Sequence, residues 1–282
     1  MMRIGFHLSI SGGLPAAVDA AERLGCRAVQ IFVRNPRQWK NRHLDDGEIQ
    51  AFRRRRRQAA LWPVVVHLSY LPNLAGHDER IREKSLRALK EEWRLARHIG
   101  ADYLVVHCGH HHGLGLDKGH ERVAEALAWV LTENEGNHGP TRILLENAAG
   151  QGTEVGSSLG ELRRIRDLLG PLSVHVGYCV DTAHAAAAGY RFRTREELER
   201  FVAELDAILG LHRVALWHLN DSKVPVGKRV DRHWHVGCGA IGREAFRRFV
   251  HHPRLKSIPA IMETPKKGDQ DDLENLARVL SL

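Results

Sequence analysis

Short apolar runs rich in β-branched residues alternate along this chain with longer segments of helical period. The apolar runs predict buried strands at 3–8, 28–33, 63–68, 102–107, 142–146, 174–181, 214–219 and 258–263. The segments between them have apolar residues at three- and four-residue intervals and predict helices at 14–24, 45–61, 78–99, 120–132, 158–169, 195–209, 243–250 and 273–282. Several of these helices are followed directly by a glycine, which tolerates the left-handed backbone that closes a helix: Gly25, Gly100, Gly170 and Gly210.

Eight strand–helix units in strict alternation predict an α/β fold, a (β/α)8 TIM barrel that forms a single domain over residues 1–282. A doubly wound sheet is the alternative architecture for such a pattern. That fold usually has fewer units and a glycine-rich phosphate-binding turn after its first strand. Here His7 is followed by LSISGG, which lacks this fingerprint, so the barrel is favoured.

Charge and composition narrow the class of protein. The formal net charge of +8 and the pI of about 9.6 favour an anionic partner, with nucleic acid first among the candidates. The arginine run at 53–57 falls within a predicted helix, where a solvated outer face is its usual meaning. The N-terminus has no long apolar signal region, no apolar run approaches the roughly 18 residues of a membrane span, and the four cysteines are dispersed. We therefore expect a cytoplasmic protein with reduced thiols and no membrane segment.

Metal-binding side chains stand at the C-terminal ends of seven of the predicted strands. They are His7, His67, His107, Glu146, Asp181, His218 and Glu263. In a barrel these ends open on one face, which carries the chemistry. A single such histidine would most simply be a structural residue, but seven polar ends would each need a buried partner of their own. Shared cations supply one common partner for all of them.

Three further candidates join this set. His184 follows Asp181 by three residues, and Asp231 and His233 lie in DRHWHVGCG (231–239), a stretch with no apolar period. The candidate ligands are then His67, His107, Glu146, Asp181, His184, His218, Asp231, His233 and Glu263. A catalytic zinc takes about three protein ligands, so nine ligands suit two or three ions that share a carboxylate.

The mixture of imidazoles and carboxylates favours zinc, leaves manganese and iron open, and disfavours magnesium. Clustered divalent cations together with a basic surface predict phosphodiester hydrolysis in a polynucleotide. Cys108 and Cys179, which neighbour the candidate ligands in sequence, are interpreted as packing residues.

Six segments occur in the order and register of one known family. They are HLSYLPNLA (67–75), LLENAAGQG (144–152), CVDTAHAAAAGY (179–190), HLNDSK (218–223), VDRHWHVGCGAIG (230–242) and METP (262–265). On these motifs, which extend over nearly the whole chain, the sequence resembles the endonuclease IV family of apurinic/apyrimidinic (AP) endonucleases, also called AP endonuclease family 2.

The resemblance implies a zinc-dependent barrel with three Zn²⁺ per chain. Such an enzyme cleaves double-stranded DNA on the 5′ side of an abasic site, leaves a 3′-hydroxyl and a 5′-deoxyribose phosphate, and trims damaged 3′ ends. Carried over by motif, one zinc is held by His67, His107 and Glu146, a second by Glu146, Asp181, His218 and Glu263, and a third by His184, Asp231 and His233. Glu146 and Glu263 are the expected catalytic carboxylates.

The resemblance also implies residues that recognise DNA. RNPRQW (34–39) and SYL (69–71) look like the family loops that enter the minor groove, which gives Arg37, Tyr70 and Leu71 as DNA-binding candidates. A missing base weakens stacking, so flipping the damaged nucleotide out of the helix costs least at the lesion. From the residues alone, ordinary loop packing explains Tyr70 and Leu71 equally well. We expect the enzyme to act as a monomer.

Two departures from the family pattern stand out. CGHHH (108–112) replaces a turn that usually resembles Pro-Gly-Ser, and His235 stands where a small polar residue is common. The rival function is a sugar isomerase or epimerase on a similar barrel, which needs two metals and has no use for a third metal or a basic surface. A DNA-binding or metal-storing protein without turnover is the alternative outside the enzymes.

Overall fold

The computed structural model describes residues 2–39, 44–132 and 140–282. Its strands are β1 (Ile4–Leu8), β2 (Ala28–Ile31), β3 (Val64–His67), β4 (Tyr103–His107), β5 (Arg142–Glu146), β6 (Val176–Asp181), β7 (Val214–His218), β8 (Asp221–Ser222), β9 (His233–Trp234) and β10 (Ala260–Met262). Eight of them form a closed barrel in the order β1-β2-β3-β4-β5-β6-β7-β10, and every neighbouring pair is parallel. The predicted TIM barrel is confirmed.

The described residues form nine α-helices. They are α1 (Leu14–Leu24), α2 (Asp46–Gln58), α3 (Glu79–Ile99), α4 (Leu116–Thr132), α5 (Leu159–Leu168), α6 (Thr182–Ala188), α7 (Arg195–Leu209), α8 (Arg243–His251) and α9 (Asp269–Leu280). Two 3₁₀ turns, Gly170–His175 and Leu211–Arg213, precede β6 and β7. None of the described helices has the length and apolar character needed to cross a bilayer.

Three features differ from the sequence-based expectation. A further segment, TAHAAAA, which the sequence leaves open as helix or loop, forms α6. The β8–β9 pair is not predicted, since two-residue strands leave no periodic signal. The helices α4 and α9 begin at Leu116 and Asp269, before their predicted starts at residues 120 and 273. The strand predicted at 174–181 begins at Val176, after a 3₁₀ turn.

Local capping explains where several helices begin and end. The side chain of Asp78 accepts hydrogen bonds from the first turn of α3, and Ser158 and Glu161 form a reciprocal capping box on α5. Gly25 and Gly100 adopt left-handed conformations, with φ of 74° and 75°, immediately after α1 and α3. The predicted role of these two glycines as helix ends is therefore confirmed.

The barrel interior is filled by a layer of small and branched side chains beneath the C-terminal mouth. One fully buried residue from each of seven strands makes this layer: Ala28, Val65, Val105, Leu144, Cys179, Leu216 and Ile261. Gly5 of β1 is in register with Ala28 and Ile261 and fills the eighth position. A Cβ on Gly5 would lie 1.8 Å from the carbonyl oxygen of Ala28, so only glycine lets β1 and β2 approach this closely. The layer is the apolar floor of the site above it.

The arginine run lies on α2, in the outer ring of helices. Arg55 forms ion pairs with Asp19 and Glu22 of α1, and Arg56 pairs with Asp102 at the start of the fourth barrel unit. These arginines therefore join neighbouring elements of the barrel wall.

Candidate metal centre

Each of the eight barrel strands brings one polar residue to the C-terminal mouth. Seven of them are the residues that the sequence singled out. The eighth is Gln30 of β2, which is fully buried and is in register with His7 of β1. The ring consists of His7, Gln30, His67, His107, Glu146, Asp181, His218 and Glu263.

The first group of candidate ligands joins β3, β4 and β5. The Nε2 atoms of His67 and His107 each lie 3.3 Å from Oε2 of Glu146. The three ligand atoms lie within 4.8 Å of one another, close enough to hold one cation. Glu146 is completely buried, so its charge needs such compensation.

The second group joins β5, β6 and β7 with the end of β10. Glu146, Asp181, His218 and Glu263 place one ligand atom each within 4.8 Å of the others. Nδ1 of His218 lies 2.9 Å from Oε1 of Glu146 and 3.2 Å from Oε2 of Glu263. Asn220, which lies in the motif HLNDSK but was not among the candidate site residues, orients this group, since it donates to Oδ2 of Asp181 at 2.7 Å and accepts from the Glu263 amide at 2.7 Å.

The third group joins α6 and β9. The ligand atoms of Asp181, His184 and His233 lie within 4.8 Å of one another, so Asp181 belongs to both this group and the second. Asp231 approaches the same place, with Oδ1 at 3.3 Å from Nε2 of His184 and 3.4 Å from Nε2 of His233. The two Nε2 atoms themselves face each other at 3.3 Å. All nine candidate ligands are thus brought together at one mouth.

In three of these histidines the other ring nitrogen donates to a backbone carbonyl. Nδ1 of His67 donates to the carbonyl of Leu68 at 2.6 Å, Nδ1 of His184 to that of Asn147 at 2.9 Å, and Nδ1 of His233 to that of Glu263 at 3.2 Å. A carbonyl oxygen can only accept, so Nδ1 of each ring donates and Nε2 is the atom turned toward the ligand group. This arrangement is the one found around metal-bound histidines in proteins.

Gln30 fixes the His218 ring through Nε2, so that Nδ1 rather than Nε2 faces the ligands. Its Nε2 donates to Oε1 of Glu263 at 2.6 Å, so its Oε1 must be the atom 2.8 Å from Nε2 of His218. Nε2 of His218 therefore donates to Gln30, and Nδ1 is the atom turned toward the second group. Nε2 of Gln30 also lies 2.9 Å from Nδ1 of His7.

The surrounding imidazoles keep the central carboxylates ionised. Burial by itself raises the pKa of Glu146, but His107 and His218 outweigh it and hold that pKa well below its usual range. Burial likewise opposes ionisation of Glu263, and His218 and His7 hold its pKa well below the usual range. Anionic carboxylates are the form in which these residues bind a cation.

The loop that carries Asp231 and His233 is tied down by a buried carboxylate. Oδ2 and Oδ1 of Asp221 accept hydrogen bonds from the amides of Gly239 at 2.8 Å and Ile241 at 2.9 Å, respectively, and the β8–β9 pairing aligns Ser222 with His233. No sequence pattern indicates this role, because it depends on a return of the chain that local periodicity does not encode.

The three DNA-binding candidates lie on the loops after β2 and β3, at the same mouth. Arg37 is exposed, Tyr70 is 61% exposed and Leu71 is partly buried. The Tyr70 ring lies 6.2 Å from the His67 ring and packs edge-on against Phe32 at 5.1 Å. These side chains therefore stand beside the first group of ligands.

The residues that depart from the family pattern make contacts outside the ligand groups. The main chain of His110 exchanges hydrogen bonds with the Asn73 side chain, and Nδ1 of His111 accepts from two amides of its own loop. His235 contacts Asn275 of α9 through Nδ1, at 3.0 Å. Cys108 is buried. These residues therefore serve loop structure and packing.

Comparison with known proteins gives one consistent result. The family described as "Xylose isomerase-like TIM barrel" matches residues 18–281. "Probable endonuclease 4" of Chloroflexus aurantiacus is 45% identical over 283 residues, which cover 100% of this chain and 98% of that protein. "Probable endonuclease 4" of Halothermothrix orenii is 43% identical over 280 residues, which cover 98% of this chain and 99% of that protein.

Solved structures agree with the sequence relatives. Endonuclease IV from Thermus thermophilus superposes with a TM-score of 0.86 at 37% identity, covering 99% of this chain and 98% of that one. A D-tagatose 3-epimerase-like protein reaches a TM-score of 0.74 at only 19% identity, covering 99% of this chain and 97% of that one, a likeness that shows the shared barrel fold and nothing finer. Identity above 40% over the full length, together with the motifs and the three ligand groups at the barrel mouth, places this chain in the endonuclease IV family.

Proposed function

We propose that this chain is a zinc-dependent DNA repair endonuclease that hydrolyses the phosphodiester bond 5′ to an abasic site. The products are a 3′-hydroxyl and a 5′-deoxyribose phosphate, and the same site trims damaged 3′ ends. The observation that carries the proposal is the set of three contiguous ligand groups linked by Glu146 and Asp181, in a member of the endonuclease IV family. We further propose that the enzyme works in the cytoplasm as a monomer.

The donor set supports three zinc ions. It combines imidazole nitrogens with carboxylate oxygens, and its buried histidines are held with one nitrogen free for a metal. His67, His107 and Glu146 would hold one ion, Glu146, Asp181, His218 and Glu263 a second, and His184, Asp231 and His233 a third, with Asp181 within reach of the last. Bound divalent ions polarise a phosphate and lower the pKa of a bound water.

The two proposed catalytic carboxylates have distinct positions. Glu146 directs Oε2 toward the first group and Oε1 toward His218 of the second, so one side chain sets the spacing of two groups. Glu263 is anchored through Oε1 by Gln30 and turns Oε2 toward His218. Both residues thereby hold negative charge that would bind the cations, and the cations would in turn attract the phosphate.

The surface around the mouth supports double-stranded DNA as the partner. The net charge of +8 favours approach to a polyanion, and Arg37, Tyr70 and Leu71 stand on two adjacent loops beside the ligand groups. A cleft of about 610 Å³ opens next to these loops and is lined by His7 and Phe32 among others.

Incision of a duplex oligonucleotide that contains one abasic site tests the function directly. We expect incision by the metal-loaded protein, loss of incision after chelation, and recovery when zinc is returned, with metal content measured in parallel. Glu146→Gln and Glu263→Ala should abolish incision, whereas Glu244→Gln, on the exposed outer helix α8, should not change it. Full incision by either of the first two variants would contradict the metal assignment, and epimerisation of a ketose without incision would favour the rival enzyme class.

Recognition is tested separately by Arg37→Ala. This change should weaken binding to abasic duplex while the metal content stays the same, because Arg37 lies outside the ligand groups. Arg247→Ala on α8 is the matched control, since it removes one positive charge from a distant face. Equal affinities of the Arg37 variant and the wild type would exclude this loop from the DNA contact.

A further inference from the structure

A buried ion pair lies outside the metal centre and takes no part in holding a ligand group. Arg34 follows β2 and Glu92 belongs to α3; they are 4% and 0% exposed, and Nε of Arg34 lies 3.7 Å from Oε1 of Glu92. Buried pairs of this kind seldom add net stability, because desolvation of both charges offsets their attraction. The hydrogen bonds that Arg34 and Glu92 make to two surface loops indicate that the pair positions those loops.

Glu92 anchors the loop that follows β3. Its Oε2 accepts a hydrogen bond from the amide of Ser69 at 3.0 Å, and its Oε1 accepts one from the Ser69 hydroxyl at 2.6 Å. Ser69 directly precedes Tyr70 and Leu71, the candidates for contact with the lesion. The carboxylate therefore fixes the point from which both side chains project.

Arg34 anchors the loop that follows β2. Its guanidinium donates to the carbonyl of Gln38 at 2.9 Å and also to that of Trp39. Because Arg34 is the first residue of the segment 34–39, these bonds close the segment into a ring around Arg37. The amide of Arg37 donates to Oδ1 of Asn35 at 3.0 Å, which further fixes its direction.

The two loops are also joined directly. The amide of Tyr70 donates to the carbonyl of Pro36 at 3.1 Å, and the Tyr70 ring packs on Phe32. The contacts thus run from α3 through the ion pair into both loops and across from one loop to the other. A displacement at either member of the pair reaches Arg37 and Tyr70 together.

We propose that Arg34 and Glu92 form a positioning pair that holds the loops 34–39 and 69–71 in one fixed arrangement, so that Arg37 and Tyr70 enter damaged DNA as a unit. This inference rests on the proposed function, because the value of the arrangement lies in recognition of an abasic site. Neither member of the pair needs to touch DNA. Little conformational entropy is then lost in ordering these loops when DNA binds. The arrangement that distinguishes abasic from intact duplex already exists in the free protein.

The test compares Glu92→Gln with Glu83→Gln. The control, on the same helix, loses only an ion pair between the exposed side chains of Glu83 and Arg87. In the free protein, we expect Glu92→Gln to speed amide hydrogen exchange at Ser69 and Tyr70, while the control leaves it unchanged. With DNA, the ratio of affinities for abasic and intact duplex should fall about tenfold in Glu92→Gln at unchanged metal content.

Two further variants separate positioning from simple stability. Arg34→Lys keeps the charge but lacks the planar fork that reaches both carbonyls, so it should lose discrimination even if Glu92→Gln fails to fold. The double variant Arg34→Met/Glu92→Leu should melt no lower than the single variants and still lose discrimination. Wild-type discrimination in folded Arg34→Lys, or its return in the double variant, would overturn the proposal. If the wild type neither binds nor incises abasic DNA, the proposed function fails, and the hydrogen-exchange result alone then decides whether the pair couples the loops.

Discussion

Gln30 offers a sharp test of how the metal centre is held, because it supports three members of the site without being a ligand. Replacement by leucine keeps most of the side-chain volume and removes both polar atoms. The hydrogen bonds lost are those to Nε2 of His218 at 2.8 Å, Oε1 of Glu263 at 2.6 Å and Nδ1 of His7 at 2.9 Å. All three partners belong to the ring at the barrel mouth.

The expected magnitude follows from what the partners lose. Without Oε1 of Gln30, the N–H at Nε2 of His218 has no acceptor, and the ring loses the hydrogen bond that holds Nδ1 toward Glu146 and Glu263. Nδ1 is the atom that would bind the metal, so metal binding would first have to restore this ring orientation. Loss of such an outer hydrogen-bond partner typically costs about 10- to 100-fold in metal affinity. That range corresponds to about 1.4–2.8 kcal/mol.

The assay is competition for zinc between the protein and a chelating dye, combined with ¹⁵N chemical shifts of the His218 ring in the metal-free protein. We expect Gln30→Leu to weaken the zinc that His218 holds by about tenfold or more and to change the ¹⁵N shift of Nε2, which loses its hydrogen bond to Gln30. Val65→Ala is the control, since Val65 lies in register with Gln30 but one layer below the site. It should cost roughly 2 kcal/mol of stability and leave zinc affinity unchanged.

A folded Gln30→Leu protein with wild-type zinc affinity and unchanged His218 ¹⁵N shifts would refute this reasoning. An equal loss of zinc affinity in Val65→Ala would also refute it, because the effect would then come from general loosening of the barrel.

Two predictions concern the scaffold. Burial raises the pKa of Glu161, but His120 and the hydrogen bonds from Gly156 and the α5 cap outweigh it and lower that pKa from 4.5 to about 2. The stabilisation from this carboxylate is therefore present above pH 4.5 and lost as the pH falls toward 2. Because solvent screens part of this interaction, Glu161→Gln should cost about 1–2 kcal/mol near neutral pH and little in strong acid, as measured by urea unfolding. Gly5→Ala should prevent a stable barrel, because its Cβ would meet the Ala28 carbonyl at 1.8 Å, and circular dichroism should show no cooperative melt. Gly268→Ala, with open space around the new Cβ, should melt like the wild type, and a wild-type melt of the Gly5 variant would exclude the proposed clash.

The barrel and the six candidate ligands at strand ends could be predicted from the sequence for a common reason. Each strand is a short apolar run, and its last polar residue interrupts the run at a position that the barrel places on one face, as with His67 and Glu146. Every such signal is local, and the topology turns seven local signals into one site.

The residues that the sequence did not reveal act over long separations. In the sequence, Gln30 occupies one position within an apolar strand, and its hydrogen-bond partner His218 is 188 residues away. The sequence predicts Glu92 to be one of the charged residues of an amphipathic helix, whereas in the structure it is fully buried against Ser69. Their roles arise from which elements become neighbours, which no local pattern encodes.

The closure of the barrel by β1 and β10 sets the order of events during synthesis. Ile4 pairs with Ala260, so the first strand has an unpaired side until residues 260–262 have been made. Until then β1 and β7 are open sheet edges, which invite pairing with other chains. A prematurely terminated polypeptide that ends before residue 260 would therefore be an aggregation hazard as well as an inactive product, and rapid degradation of such fragments would protect the cell from them.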